Sequence, residues 1–143
     1  MGRLRSLLRL SPADRRLVLR SWATQAWIRG ALWILPFGSL RRLVVHRSRP
    51  ASPPIAGVDP DRVAWAVAAT ARLVPASSCL TQALTAEVIL GRARIPARLS
   101  IGVDRSTGDL RAHAWLESGG RIVVGDHDLD RFTVLPAIDG EAP

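Results

Sequence analysis

The stretch Ser77–Asp126, SSCLTQALTAEVILGRARIPARLSIGVDRSTGDLRAHAWLESGGRIVVGD, changes periodicity along its length. From Cys79 the apolar residues Leu80, Ala83, Leu84, Val88 and Leu90 recur at helical spacing, and Gly91 is a fitting stop. Ile95-Pro96 leads out of the helix, and from Ala97 to Val103 apolar residues alternate as in a strand. A loop follows at Asp104–Asp109. Leu110 to Glu117 then alternates again, with Leu110, Ala112, Ala114 and Leu116 on one face and Arg111, His113, Trp115 and Glu117 on the other. Ser118-Gly119-Gly120-Arg121 reads as a hairpin turn, and Ile122-Val123-Val124 as the return strand. One helix followed by antiparallel strands is an α+β pattern.

Upstream, Pro75-Ala76-Ser77-Ser78 interrupts an earlier helix. That helix starts at Asp59-Pro60-Asp61, and its stripe is Val63, Ala64, Val67, Ala68 and Leu73. Residues 46–60, HRSRPASPPIAGVDP, are dense in proline and serine and read as a linker. Before them, Ser11-Pro12-Ala13-Asp14 signals a helix start, with Leu17, Leu19, Trp22, Ala26 and Trp27 at helical spacing. Gly30 is a possible interruption and Pro36-Phe37-Gly38 an end. The expected organisation is a basic helical segment over 1–45, a linker over 46–60 and a chemistry-bearing domain over 61–143.

Composition narrows the function classes. In 143 residues, 48% apolar content supplies a core, which excludes disorder of the whole chain. One cysteine excludes an internal disulfide framework and any multi-cysteine metal site. All 20 basic residues are arginine, and the net charge is +8. Residues 1–50 carry 11 arginines against one acid, Asp14, a net +10, whereas residues 51–143 carry nine against 11, a net −2. The basic end suits an acidic peptide, a protein, nucleic acid or anionic lipid, or is a solvated helix face. A nucleic-acid role would rest on charge alone, with no binding motif. The apolar region Leu17–Phe37 is broken by Arg20, Gln25, Arg29 and Pro36, so no transmembrane segment is expected, although a peripheral amphipathic contact stays open. Without a secretory signal, the expected location is cytoplasmic.

Cys79 carries the chemistry. A thiol at a helix start lies beside unpaired N–H groups and the positive end of the helix dipole, which favour the thiolate. The alternative is a small apolar residue in a core. The hairpin adds a second signal. With Gly119-Gly120 as a two-residue loop, paired positions sum to 239: Trp115 faces Val124 and His113 faces Asp126. Directly opposed side chains share a face at about 4.5–5.5 Å between Cβ atoms, close enough for a carboxylate to orient an imidazole. In the same register Asp128 faces Arg111. His127 and Asp130 lie nearby, and Cys79, His113 and His127 form a rival zinc set, but no close two-ligand metal spacing supports it. The expected site is a Cys79–His113–Asp126 triad with no metal and no cofactor.

Cys79-Leu80, Ile95-Pro96-Ala97, Ile101-Gly102-Val103, His113-Ala114-Trp115 and Asp126 together resemble the transglutaminase-like, papain-fold leader peptidases of lasso peptide biosynthesis. The resemblance covers about residues 61–136. It implies a papain/transglutaminase-like core, with the nucleophile at a helix N-terminus packed on an antiparallel sheet. It further implies a cysteine peptidase that removes the leader from a ribosomally made precursor. The implied partners are that precursor peptide, a separate leader-recognition protein and an ATP-dependent lasso cyclase. The residues leave two alternatives open: an acyltransferase of the same fold, and a non-catalytic scaffold that binds the precursor.

Overall fold

In the computed structural model the protein is described over residues 2–136, apart from 51, 52, 54 and 56. Five helices precede a four-stranded antiparallel sheet, the α+β architecture expected. The helices are α1 (Gly2–Leu8), α2 (Pro12–Ile34), α3 (Phe37–Arg47), α4 (Pro60–Ala71) and α5 (Cys79–Arg92). The strands are β1 (Arg98–Asp104), β2 (Arg111–Ser118), β3 (Arg121–Val124) and β4 (Thr133–Val134), in the order β3-β2-β1-β4.

The helix starts follow their caps. Ser11 Oγ accepts from Asp14 N, Asp59 Oδ1 from Arg62 N, and Ser78 Oγ from Thr81 N, with proline in the first turn of α2 and α4. Gly30 does not interrupt α2. A mid-helix glycine costs only about 1 kcal/mol, and buried Gln25 and Ile28 hold the surrounding turns. Pro36 ends α2, as expected, but Phe37 then opens the separate helix α3. α5 likewise runs through Gly91. A Cβ there would collide with the Ser48 carbonyl, so Gly91 serves a close approach of chains and not a cap. The cap falls to Arg94 at φ +62: Ile95 N donates to Leu90 O at 2.9 Å and Arg94 N to Gly91 O at 3.0 Å, a Schellman closure.

α5 is the central element. Ala83, Ala86, Ile89 and Leu90 share one cluster with Leu17 and Val18 of α2, Val63, Ala66 and Val67 of α4, and Ala114, Leu116 and Val124 of the sheet. Leu84 and Val88 share another with Ile28 of α2 and Leu40 and Val44 of α3. A largely buried ion pair, Arg41 Nη1 to Glu87 Oε2 at 2.6 Å and Nη2 to Oε1 at 3.0 Å, ties α3 to α5. Apolar residues on both sides of α5 therefore match its burial between the other helices and the sheet.

The β2–β3 hairpin departs from the expected register. Gly119 and Gly120, at φ +61 and +76, form the tight turn, and Ser118–Arg121 and Glu117–Ile122 pair as expected. Beyond them a bulge intervenes. Val124 pairs with Leu116 and not with Trp115, so Val123 is the additional residue. β3 ends at Val124, and the expected strand pairing of His113 with Asp126 does not form. The expected Arg111–Asp128 pairing fails for the same reason: Arg111 lies opposite Asp104 on β1, and Asp128 stands at φ +53 before a short 3-10 turn. Asp104 accepts from Ser106 N at 2.8 Å, and its bonds to Ser106 hold its carboxyl below the ordinary range.

Candidate active site

Cys79 is the first residue of α5 and is half-buried, packed against the margin of the larger apolar cluster. Ser78 caps the helix, its Oγ also within 3.1 Å of the buried Thr81 hydroxyl. With the Thr81 N–H taken by that cap, the N–H groups of Cys79 and Leu80 remain the donors at the helix mouth.

The loop leading to Cys79 is anchored from behind. Ser77 Oγ donates to Gln25 Oε1 at 2.9 Å, and Gln25 Nε2 donates to Val67 O at 3.0 Å and Thr70 Oγ1 at 2.5 Å. Gln25 is fully buried, so these bonds replace those it loses to water. One amide thus ties α2, α4 and the loop before Cys79 together. Reading the sequence treated Gln25 only as a polar break in an apolar run. Its signal was the spacing Val18, Ser21, Gln25, Ile28, which places it in the buried stripe of α2.

His113 is 7% exposed and sits on central strand β2, opposite Gly102 of β1. Ala114 and Leu116 join the cluster with α5, so strand alternation puts His113 and Trp115 on the other face of the sheet. There the His113 ring lies 5.2 Å from Phe132, 4.8 Å from His127 and 6.1 Å from Trp115, centroid to centroid. Gly102 leaves room for this aromatic layer, since a Cβ there would stand 2.7 Å from Phe132 Cβ and 3.0 Å from the Trp115 ring.

The orienting partner of His113 is a backbone carbonyl. His113 Nε2 lies 2.7 Å from Gly125 O, and a carbonyl only accepts, so Nε2 carries the hydrogen. In the neutral ring the lone pair then resides on Nδ1, the nitrogen left to take a proton. Asp126, the next residue, is exposed. Among the described residues no hydrogen bond joins His113 to Asp126 or Cys79 to His113. The structure thus brings α5 against one face of β2 and holds His113 on the other, and closes no side-chain contacts among the three expected residues. Gly125 was not singled out in the sequence. Its φ of +86, and the 2.6 Å that would separate an added Cβ from Ala114 O, make glycine the residue that fits there.

Among the described residues no three His, Cys, Asp or Glu side chains gather as a metal site. A surface hollow of about 500 Å³, lined by Ser48, Glu87, Gly91 and Arg94 among others, sits at the C-terminal end of α5. That is roughly 18 Å along the helix from Cys79.

A family model described as transglutaminase-like superfamily matches residues 7–137. No curated protein and no solved structure matches the chain.

Proposed function

Because the chain belongs to the transglutaminase-like superfamily, typically catalytic-cysteine enzymes of the peptidase or acyltransferase type, we propose that it is a cysteine peptidase that removes the leader from a ribosomally made lasso peptide precursor. The observation that supports this best is the ring state of His113. Gly125 O fixes the proton on Nε2, leaving Nδ1 as the base, while the only thiol of the chain heads a capped helix.

In this reading Cys79 Sγ passes its proton to His113 Nδ1 and attacks the carbonyl at the leader–core junction. The tetrahedral oxyanion takes the Cys79 N–H, where the α5 dipole favours negative charge. The imidazolium returns the proton to the leaving amine of the core peptide, and the leader stays on sulfur as a thioester. Water, deprotonated by the same nitrogen, releases the leader as a carboxylic acid. The transfer requires Cys79, which packs on the α5 side of β2, and His113, which lies on its other face, to be brought into contact when the peptide binds. The freed core amine is then the nucleophile for an ATP-dependent lasso cyclase, and a separate recognition protein presents the leader. Both steps belong in the cytoplasm, where a precursor is made.

Cleavage of a lasso precursor peptide, run in ¹⁸O-labelled water with a leader-recognition protein present, tests the reaction type. The expected product is a leader whose new terminal carboxylate carries one ¹⁸O. A leader instead joined to an added amine, with no label, would assign acyl transfer. An uncut precursor under these conditions would leave binding as the activity.

A further inference from the structure

α2 is apolar on two opposite sides. Leu17, Val18 and Ile28 face the core, yet Leu19, Trp22, Trp27, Trp33 and Ile34 are exposed. The spacing 19, 22, 26, 33 keeps Leu19, Trp22, Ala26 and Trp33 along one stripe, with Trp27 and Ile34 beside it. That face runs about 22 Å to the tip of the α2–α3 hairpin. At the tip Trp33 is 74% and Ile34 82% exposed.

The chain that carries this face is strongly basic. Between Arg15 and Pro50 the chain has no acidic residue. The one acid before that, Asp14, is paired with Arg62. Arg16, Arg20, Arg42, Arg47 and Arg49 are exposed. Two arginines lie on the tryptophans themselves: the Arg29 guanidinium is 4.9 Å above Trp33 and that of Arg47 is 5.1 Å above Trp27.

We propose that the α2–α3 hairpin docks the protein on an anionic lipid bilayer, with Trp33 and Ile34 entering the interface and the arginines meeting lipid phosphates. Tryptophan favours the headgroup level, and guanidinium groups pair with phosphate in two-pronged fashion. Exposed apolar residues flanked by exposed arginines match a surface that is apolar below and negative above. A second copy of the chain fits poorly, since it would bring the same arginines together with no carboxylate to pair them. No helix of the described residues is long and apolar enough to cross a membrane, so the contact is interfacial. The proposal stands apart from the peptidase reading.

The test is flotation of the full chain with vesicles of phosphatidylcholine alone and of phosphatidylcholine with one quarter phosphatidylglycerol. It is repeated with the Trp33→Ser/Ile34→Ser and Arg16→Gln/Arg20→Gln variants, after their thermal melting has been matched to the parent. Binding is expected to the anionic vesicles only, to weaken in high salt, and to fall roughly tenfold in each variant. Absence of binding to anionic vesicles would overturn the proposal, as would binding unchanged in Trp33→Ser/Ile34→Ser.

Discussion

His113 is held by a neighbour's backbone. A carbonyl cannot lose its accepting power by titration, and it fixes the ring tautomer as a carboxylate would, but without compensating the charge of an imidazolium. The positions next to each other therefore separate in effect. Asp126→Asn should reduce precursor cleavage by no more than about tenfold, whereas Gly125→Ala should cost about a hundredfold, since a displaced carbonyl releases the ring. Steady-state kinetics on the two variants, with melting temperatures alongside, checks this. A larger loss in Asp126→Asn than in Gly125→Ala would return the orienting role to the carboxylate. At this scale the sequence was informative about the helix start at Cys79, because a helix start is a local matter of three or four residues. It was silent about the Gly125 carbonyl, because a backbone group leaves no residue-type signature.

Among the elements, the hairpin shows where reading by arithmetic stops. Gly119-Gly120 identifies the turn, and the two pairs nearest to it follow from that turn alone. Val123 then enters as a bulge, which no periodicity announces in a run of three β-branched residues, and every later pairing shifts. The same holds at the end of α5. Gly91 looks like a stop, but its lack of a side chain serves the contact with Ser48, and the left-handed cap position falls on Arg94. A non-glycine residue there costs about 1 kcal/mol. Arg94→Gly should therefore raise stability by about that amount. The urea midpoint should rise with an unchanged slope; an unchanged or lower midpoint would mean that the arginine side chain compensates elsewhere.

In the whole molecule, the N-terminal helices and the chemistry-bearing part share their cores. Charge asymmetry and the proline-rich stretch at 46–60 record the chain between two elements and not the surfaces those elements present. The inner faces of α2 and α3 contribute Leu17, Val18, Ile28, Leu40 and Val44 to the two clusters around α5. Large apolar residues cost about 2–5 kcal/mol each when lost from a core, against a total stability of about 5–15 kcal/mol. Deleting residues 1–45 should thus give a chain without a cooperative thermal transition. The deletion also removes Gln25, and with it the anchor of the loop before Cys79. A folded, active product would show that α4, α5 and the sheet suffice.

In the proposed reaction one thiol and one imidazole, carried by α5 and β2, cut a peptide bond. The most direct measurement is the initial rate of precursor cleavage by wild type, Cys79→Ala and His113→Ala, each first shown to melt as the parent does. The account predicts a fall of at least about a thousandfold in both variants, because thiol and base act as one unit. Cleavage by Cys79→Ala near the wild-type rate would contradict it.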